Sequence, residues 1–315
     1  MSTKEVAQAI INVFETGAVK GRYSQITLLP EDSGHLTFGR SQTTLGSGNL
    51  FHLVDAYSSA SGSRYGARLS RYLPRLKERD ISLDRDKRLH NLLRSTADDP
   101  VMITTQDQFF DKYYWDRAVR SATKQGITTP LGVAVVYDST IHGSWHFIQR
   151  RTTDNIGSVR KLGERDWVAA YLKVRRHWLA THRKLILRKT VYRQDSFLDM
   201  IELDLWDLHL PLVVRGLEIS DDTLTADPPD SFSGPEPGER DILFSTPMQK
   251  GLDVRQVQLG LSEAGMSIKA DGWFGRGTEQ TLKRWHQRQG ILANGKLAML
   301  QAAGFLDDQP STMVG

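Results

Sequence analysis

Two carboxylates near the N-terminus stand in surroundings as different as an acid and a base require. Glu15 closes the apolar run Ile10-Ile11-Asn12-Val13-Phe14 and is followed by Thr16-Gly17. Asp32 lies seventeen residues further on, in the polar stretch Pro30-Glu31-Asp32-Ser33-Gly34. A carboxyl at the buried end of a helix keeps its proton more readily than one on an open turn. Cleavage of a glycosidic bond needs such a pair, one group to protonate the leaving oxygen and one to deprotonate water. Spacing alone does not separate this pair from carboxylates that are merely solvated. Glu31 competes with Asp32 as the base, and Asp32 is preferred because Ser33-Gly34 predicts a turn open to water.

The elements that must position these groups are mainly helical. Val6, Ala9, Ile10, Val13 and Phe14 repeat as one apolar helix face over residues 3–14, with Ser2 or Thr3 as N-cap and Gly17 as the stop. Further helices are expected over 49–60, 64–80, 105–124, 164–181 and 195–203, and a buried helix over 130–150. Little strand is expected beyond 35–39. Residues 1–222 thus read as one mainly α domain. Residues 223–247 are acidic and rich in Pro and Gly, with too little apolar content for a core, and read as a semi-extended linker. Residues 248–306 form a separate small unit. It opens with an amphipathic helix from Gly251 to Leu261, turns through 270–279, and continues with a helix over 281–289 capped by Thr278. Residues 307–315 read as a disordered tail.

Composition narrows the function. The chain has 315 residues, 39% hydrophobic and 25% charged, as in an ordinary globular protein. No run approaches the ~18 apolar residues of a membrane span. The N-terminus has no charged segment followed by an apolar core, so no secretory signal is expected and export would need a dedicated route. With zero cysteines, disulfide and thiolate chemistry are excluded. His177, His182 and His209 lack metal-ligand spacing, so no metal and no cofactor are expected. No Gly-x-Ser-x-Gly elbow occurs, which removes support for a serine hydrolase. The net charge is +4, but residues 148–193 hold thirteen Lys or Arg against three acids, and residues 195–241 reverse the balance. A basic belt suits an anionic polymer or a solvated face. No DNA-binding motif accompanies it, so nucleic acid is not expected as a partner.

Several short motifs, in order, carry a resemblance. They are Phe14-Glu15-Thr16-Gly17, Tyr23, Asp32-Ser33-Gly34, Leu36-Thr37-Phe38-Gly39, Gly46-Ser47-Gly48-Asn49-Leu50 and Val136-Tyr137-Asp138-Ser139-Thr140-Ile141-His142-Gly143. Together they resemble glycoside hydrolase family 46, the chitosanases. The resemblance covers roughly residues 3–222 and implies a two-lobed, lysozyme-related helical fold and an inverting endo-hydrolase. It implies Glu15 as general acid, Asp32 as general base, and Thr37 as a residue that helps hold the water. It also implies a supporting network of Asp138 with Arg175 and Arg193, for which Arg176 and Arg188 are close competitors. An inverting pair would stand roughly 6.5–9.5 Å apart. Tyr23, Asn49 and His142 are carried over as substrate contacts, although for His142 a structural role is preferred to that of a ligand. Trp145, His146 and Phe147 suit either a sugar-lined cleft or, at helical spacing, core packing. The C-terminal sequence Asp271-Gly272-Trp273-Phe274-Gly275-Arg276-Gly277-Thr278 resembles the three-helix peptidoglycan-binding domain. There Asp271, Gly272 and Gly275 would make the turns and Phe274 the core.

Asn49 departs from the resemblance, because chitosanases carry an aspartate there to pair with the glucosamine amine. A neutral amide suits an uncharged, N-acetylated sugar, although Asp55 is near enough in sequence to substitute. With the wall-binding module, this favours peptidoglycan as the substrate, with chitosan as the alternative. A non-catalytic wall-binding protein is the reading from another class. The chain is expected to act as a monomer, in the periplasm, the cell wall or outside the cell, as an antibacterial effector or a lysis enzyme. An effector would bring secretion machinery and a cognate immunity protein as partners.

Overall fold

A computed structural model describes residues 2–28, 33–40 and 42–307. The general base expected at Asp32, its competitor Glu31 and most of the expected tail therefore lie outside the described residues. The principal elements are α1 (Thr3–Thr16), β1 (Ile26–Thr27), β2 (Thr37–Phe38), β3 (Thr43–Thr44), α2 (Asn49–Ser58), α3 (Lys87–Thr96), α4 (Pro130–Ile141), α5 (Glu164–Ala180), α6 (Tyr192–Glu202), β4 (Leu212–Val214), β5 (Leu217–Ile219), α7 (Leu252–Glu263) and α8 (Arg276–Arg288). The fold is mainly helical, as the sequence implies. Among the described residues no helix is long and apolar enough to cross a membrane.

The chain divides into two compact units, each built from two stretches of sequence. The first comprises residues 1–21 and 110–226. Its α1 starts at a capping box, in which the Ser2 hydroxyl accepts from the Glu5 amide and the Glu5 carboxylate accepts from the Ser2 amide. It ends at Gly17, whose left-handed backbone (φ 66°) closes the helix one residue after Thr16. Val6, Ile10, Val13 and Phe14 face a core shared with Val136, Tyr137, Trp167, Tyr171 and Phe197. α4 packs against α1 and is buried on nearly all sides.

The helix expected over 130–150 is in fact two. Gly143 (φ 83°) and Ser144 (φ 76°) are successive left-handed residues, a geometry no right-handed helix can pass through. A new helix, Trp145–Ile156, starts after them. The helix expected over 105–124 begins earlier, at Pro100, and contains a π-helical turn at Asp111–Trp115. The hairpin β4–β5 was not expected. It pairs Val214 with Leu217 across Arg215-Gly216, and both turn residues have positive φ.

The second unit comprises residues 22–109 and 227–315. Three short antiparallel strands run in the order β1-β2-β3, with Ile26 opposite Phe38 and Phe38 opposite Thr43. The helix expected over 64–80 is broken into Gly66–Leu69, a 3₁₀ turn at Ser70–Tyr72 and Leu73–Lys77. α3 was not expected at all. Leu36, Phe38, Leu50, Leu53, Tyr57, Leu89 and Leu92 form a core that also takes in Leu259 of α7 and Leu306. The C-terminal helices keep a core of their own around Val254, Val257, Phe274, Leu282 and Phe305.

Residues 223–247, read as linker, begin inside a short helix, Asp221–Thr225, and after it contain no helix or named strand but are held at particular points. The Asp230 carboxylate accepts from the Tyr23 amide (3.0 Å), the Ser24 amide (2.9 Å) and the Ser24 hydroxyl (2.8 Å). The Phe232 amide donates to Asp98, and Arg240 pairs with Asp253. Arg255, buried on α7, forms an ion pair with the buried Asp98 at 2.7 Å and donates to the Asp230 carbonyl.

Candidate active site

In the first unit, α1 delivers Glu15 to the surface at the end of a buried helix, and its side chain is 43% exposed. Arg193, near the start of α6, reaches Glu15 Oε1 through Nη1 at 2.8 Å. The same guanidinium grips Asp138 Oδ1 through Nε (2.8 Å) and Nη2 (2.6 Å). The other carboxylate oxygen of Asp138 accepts from Arg175 Nη1 at 2.5 Å. Arg175 Nη2 lies 3.1 Å from His142 Nδ1. Because a guanidinium only donates, Nδ1 accepts and the imidazole proton sits on Nε2.

Three helices converge here: α4 carries Asp138, α5 Arg175 and α6 Arg193. Asp138 and Arg175 are wholly buried, and Arg193 nearly so. Burial alone would raise the Asp138 pKa, but Arg193 and Arg175 outweigh it and hold the carboxyl below its ordinary value. Burial, then the two guanidinium charges, push His142 down, so it stays neutral. Arg193 is pulled down by burial, but Asp138 and Glu15 push it above its ordinary value. The Tyr192 hydroxyl donates to the Phe14 carbonyl at 2.8 Å and so ties α6 to the residue before Glu15. Arg176 and Arg188 lie elsewhere. Arg176 pairs with exposed Asp195, and Arg188 donates to the His182 carbonyl.

In the second unit, Thr37 sits on β2 at 8% exposure, and its hydroxyl donates to the His35 carbonyl at 3.1 Å. Asp84 anchors this segment by accepting from the Leu36 amide (2.8 Å) and contacting His35 Nδ1 (2.9 Å). The segments 33–34 and 45–48 are packed backbone on backbone, with the Gly46 amide donating to the Gly34 carbonyl. A Cβ on Gly46 would lie 2.1 Å from the Ser33 carbonyl oxygen, so only glycine fits there. This gives a physical reason why the Gly-rich stretch accompanies the Asp32-Ser33-Gly34 motif.

Residues 9–212 match glycosyl hydrolase family 46, and residues 250–297 match the putative peptidoglycan binding domain. The chain belongs to glycosyl hydrolase family 46. A chitosanase of Bacillus subtilis (strain 168) is 28% identical over 232 residues, 68% of this chain and 82% of the relative. Solved structures agree. A mutant chitosanase from Bacillus subtilis MY002 complexed with 6 GlcN has TM-score 0.57 and 26% identity, covering 68% of this chain and 94% of that one. A Gynuella sunshinyii family 46 chitosanase complexed with chitotetraose shares the fold, with TM-score 0.57 and 24% identity over 69% of this chain and 96% of that one. The protein is a glycoside hydrolase with a C-terminal peptidoglycan-binding domain.

The remaining predicted residues of this family 46 hydrolase fall as follows. Tyr23 is buried at 4% exposure and its hydroxyl donates to Asp107 at 2.7 Å, with Arg40 also paired to Asp107. The buried Tyr23 side chain thus serves to hold Asp107. Asn49 is the first residue of α2, half-buried, and its amide hydrogen goes to Ser47 Oγ. Asp55 is exposed on the same helix. Trp145 packs in the core against Trp167 and Tyr171, whereas Phe147 is exposed beside Trp178.

In the C-terminal domain, Asp271 Oδ1 accepts from the Trp273 amide and from Gln258, and Gln258 accepts from the Gly272 amide. Gly272 has φ 80° and lies against the Phe232 ring, and Phe274 is fully buried. Gly275 has ordinary extended backbone (φ −87°) rather than a glycine-specific turn. Thr278 does not cap its helix. α8 begins two residues earlier, and the buried Thr278 hydroxyl instead accepts from Gln258. Sequence reasoning missed Asp84, Asp98, Asn91 and Tyr192. Each acts through a contact distant in sequence, and none stands in a short motif.

Proposed function

We propose that this family 46 hydrolase cuts β-1,4 bonds within a glucosamine polymer of the chitosan type, with Glu15 as proton donor. The observation that carries the reading is the fixation of Glu15: one carboxylate oxygen is held by Arg193, which is itself locked by buried Asp138. That leaves the other oxygen to present a proton to the leaving glycosidic oxygen. Once the proton has gone, the guanidinium offsets the charge left behind. Asp32, assigned by motif, would deprotonate the attacking water from the opposite face, giving inversion. The Thr37 hydroxyl, donating to the His35 carbonyl, keeps its lone pairs for a water proton. The named actions of the relatives support glucosamine chains over the peptidoglycan that the sequence favoured.

A second reading, peptidoglycan, rests on Asn49 and on the wall-binding domain. A neutral amide offers no charge to a cationic amine but hydrogen-bonds an acetamido group. The two readings are separated by incubating the enzyme with chitosan and with purified sacculi and weighing the soluble products by mass spectrometry. Glucosamine oligomers released from chitosan alone support the first reading. Muropeptides released from sacculi alone overturn it in favour of the second. We further propose that the enzyme acts outside the cytoplasm.

A further inference from the structure

Within the second unit, α3 and the loop 267–269 of the C-terminal domain line an open cavity of about 410 Å³, in the range of small-ligand sites. Lys87, Arg94 and Lys269 line it, and no carboxylate does. The lysines are exposed, and among the described residues neither they nor Arg94 has an ion-pair partner. Arg94 is half-buried and donates to Asn91 Oδ1 at 3.1 Å. Burial, and then the charge of Arg255, pull its pKa below the ordinary value, and the Asp271 carboxylate offsets them only in part.

Asn91 is buried and fully engaged. It donates to Ser262 Oγ (2.9 Å) and the Ile268 carbonyl (2.8 Å), and accepts from Arg94 and the Ala270 amide. It therefore fixes both Arg94 and the loop that forms the facing wall. His90 Nε2 lies 3.0 Å from the Leu83 carbonyl, which can only accept, so the proton is on Nε2 and Nδ1 is an acceptor. Three cationic donors, one nitrogen acceptor and apolar Ile268 fit a carboxylate attached to a peptide with N–H groups better than a bare inorganic anion.

We propose that this cavity binds the carboxylate end of a short acidic peptide, of the kind the stem of peptidoglycan carries. The proposal rests on the wall-binding reading of the C-terminal domain and not on the identity of the hydrolysed sugar. The test is calorimetric titration of the full chain carrying Glu15→Gln, so that no hydrolysis is read as binding. The probe is a synthetic stem tetrapeptide, L-alanyl-γ-D-glutamyl-diaminopimelyl-D-alanine, compared with its C-terminal amide. We expect the free acid to bind, the amide to bind at least about tenfold more weakly, and Lys87→Glu/Lys269→Glu to weaken the acid by a similar factor. Both lysines are exposed, so the fold survives the change. Absence of binding, equal affinity for acid and amide, an unaffected double variant, or displacement by equimolar inorganic phosphate would each overturn the proposal. Turnover of chitosan, measured separately, reports on Glu15 alone and distinguishes failure here from failure of the hydrolase reading.

Discussion

Asp138 touches no surface, yet it sets where Arg193 points and so where Glu15 is held. Removing it would leave two buried guanidinium groups without their shared counter-charge. Asp138→Ala is therefore expected to cost about 3–5 kcal/mol in urea denaturation. Arg193→Lys keeps the charge but cannot bridge two carboxylates with a planar fork. It should lower kcat by roughly 10–100-fold while changing KM little, since misplacing the acid harms the chemical step more than binding.

The same site predicts a pH response. Asp138 titrates below its ordinary value in the folded chain, so its contribution is present above about pH 4 and is lost as pH falls through the lower folded value. His142 is also depressed, as are His90 and His286, so these groups stabilise above about pH 6.5 and less as pH falls. All four act in one direction. In the second unit burial raises Asp98 to about 7 and also raises Glu263, and these two act the opposite way. The decline on acidification from pH 7 is therefore expected of the first unit, which holds Asp138 and His142. A first-unit urea midpoint that rose between pH 7 and 5 would contradict this.

At the scale of elements, the closest fit is the backbone contact between Ser33 and Gly46. Gly46→Ala should destabilise the chain by about 1–3 kcal/mol, and should reduce turnover more than its thermal midpoint suggests, because the displaced segment adjoins Asp32. A midpoint and turnover both unchanged would show that the segment yields freely. Such contacts explain what was legible in the sequence. α1 could be read because its apolar stripe, capping box and stop are all local. The break after Ile141 could not, because Ser144 adopts a left-handed backbone that its residue type does not announce. The β4–β5 turn was equally silent: its first residue is Arg215, whose guanidinium lies 3.8 Å over the Tyr192 ring. α3 was missed although its Leu89, Leu92 and Leu93 are wholly or almost wholly buried. The roles of Glu15, Asp138, Arg175 and Arg193 came from motif resemblance. Composition could not supply them, since buried arginines look like any others in a basic belt.

Across the whole molecule, the C-terminal domain is more than a tethered appendage within its unit. Arg255 pairs with Asp98, Asn91 reaches Ser262 and Ala270, and Leu259 joins the core of Leu36 and Phe38. The domain and residues 22–109 should therefore unfold together. Arg255→Ala should destabilise both by about 3–5 kcal/mol, because it strands buried Asp98. Calorimetry would show one shifted transition for that unit, and a separate early melt of residues 250–297 would argue for independent modules.

The central claim is that Glu15, fixed by the Arg193–Asp138–Arg175 array, gives its proton to the leaving sugar. It is tested most directly by the rate of reducing-end release from chitosan by the parent chain and by Glu15→Gln at matched folded concentration. A parent that releases reducing ends and a variant slowed at least about a hundredfold would agree with it. A variant within a few-fold of the parent would contradict it.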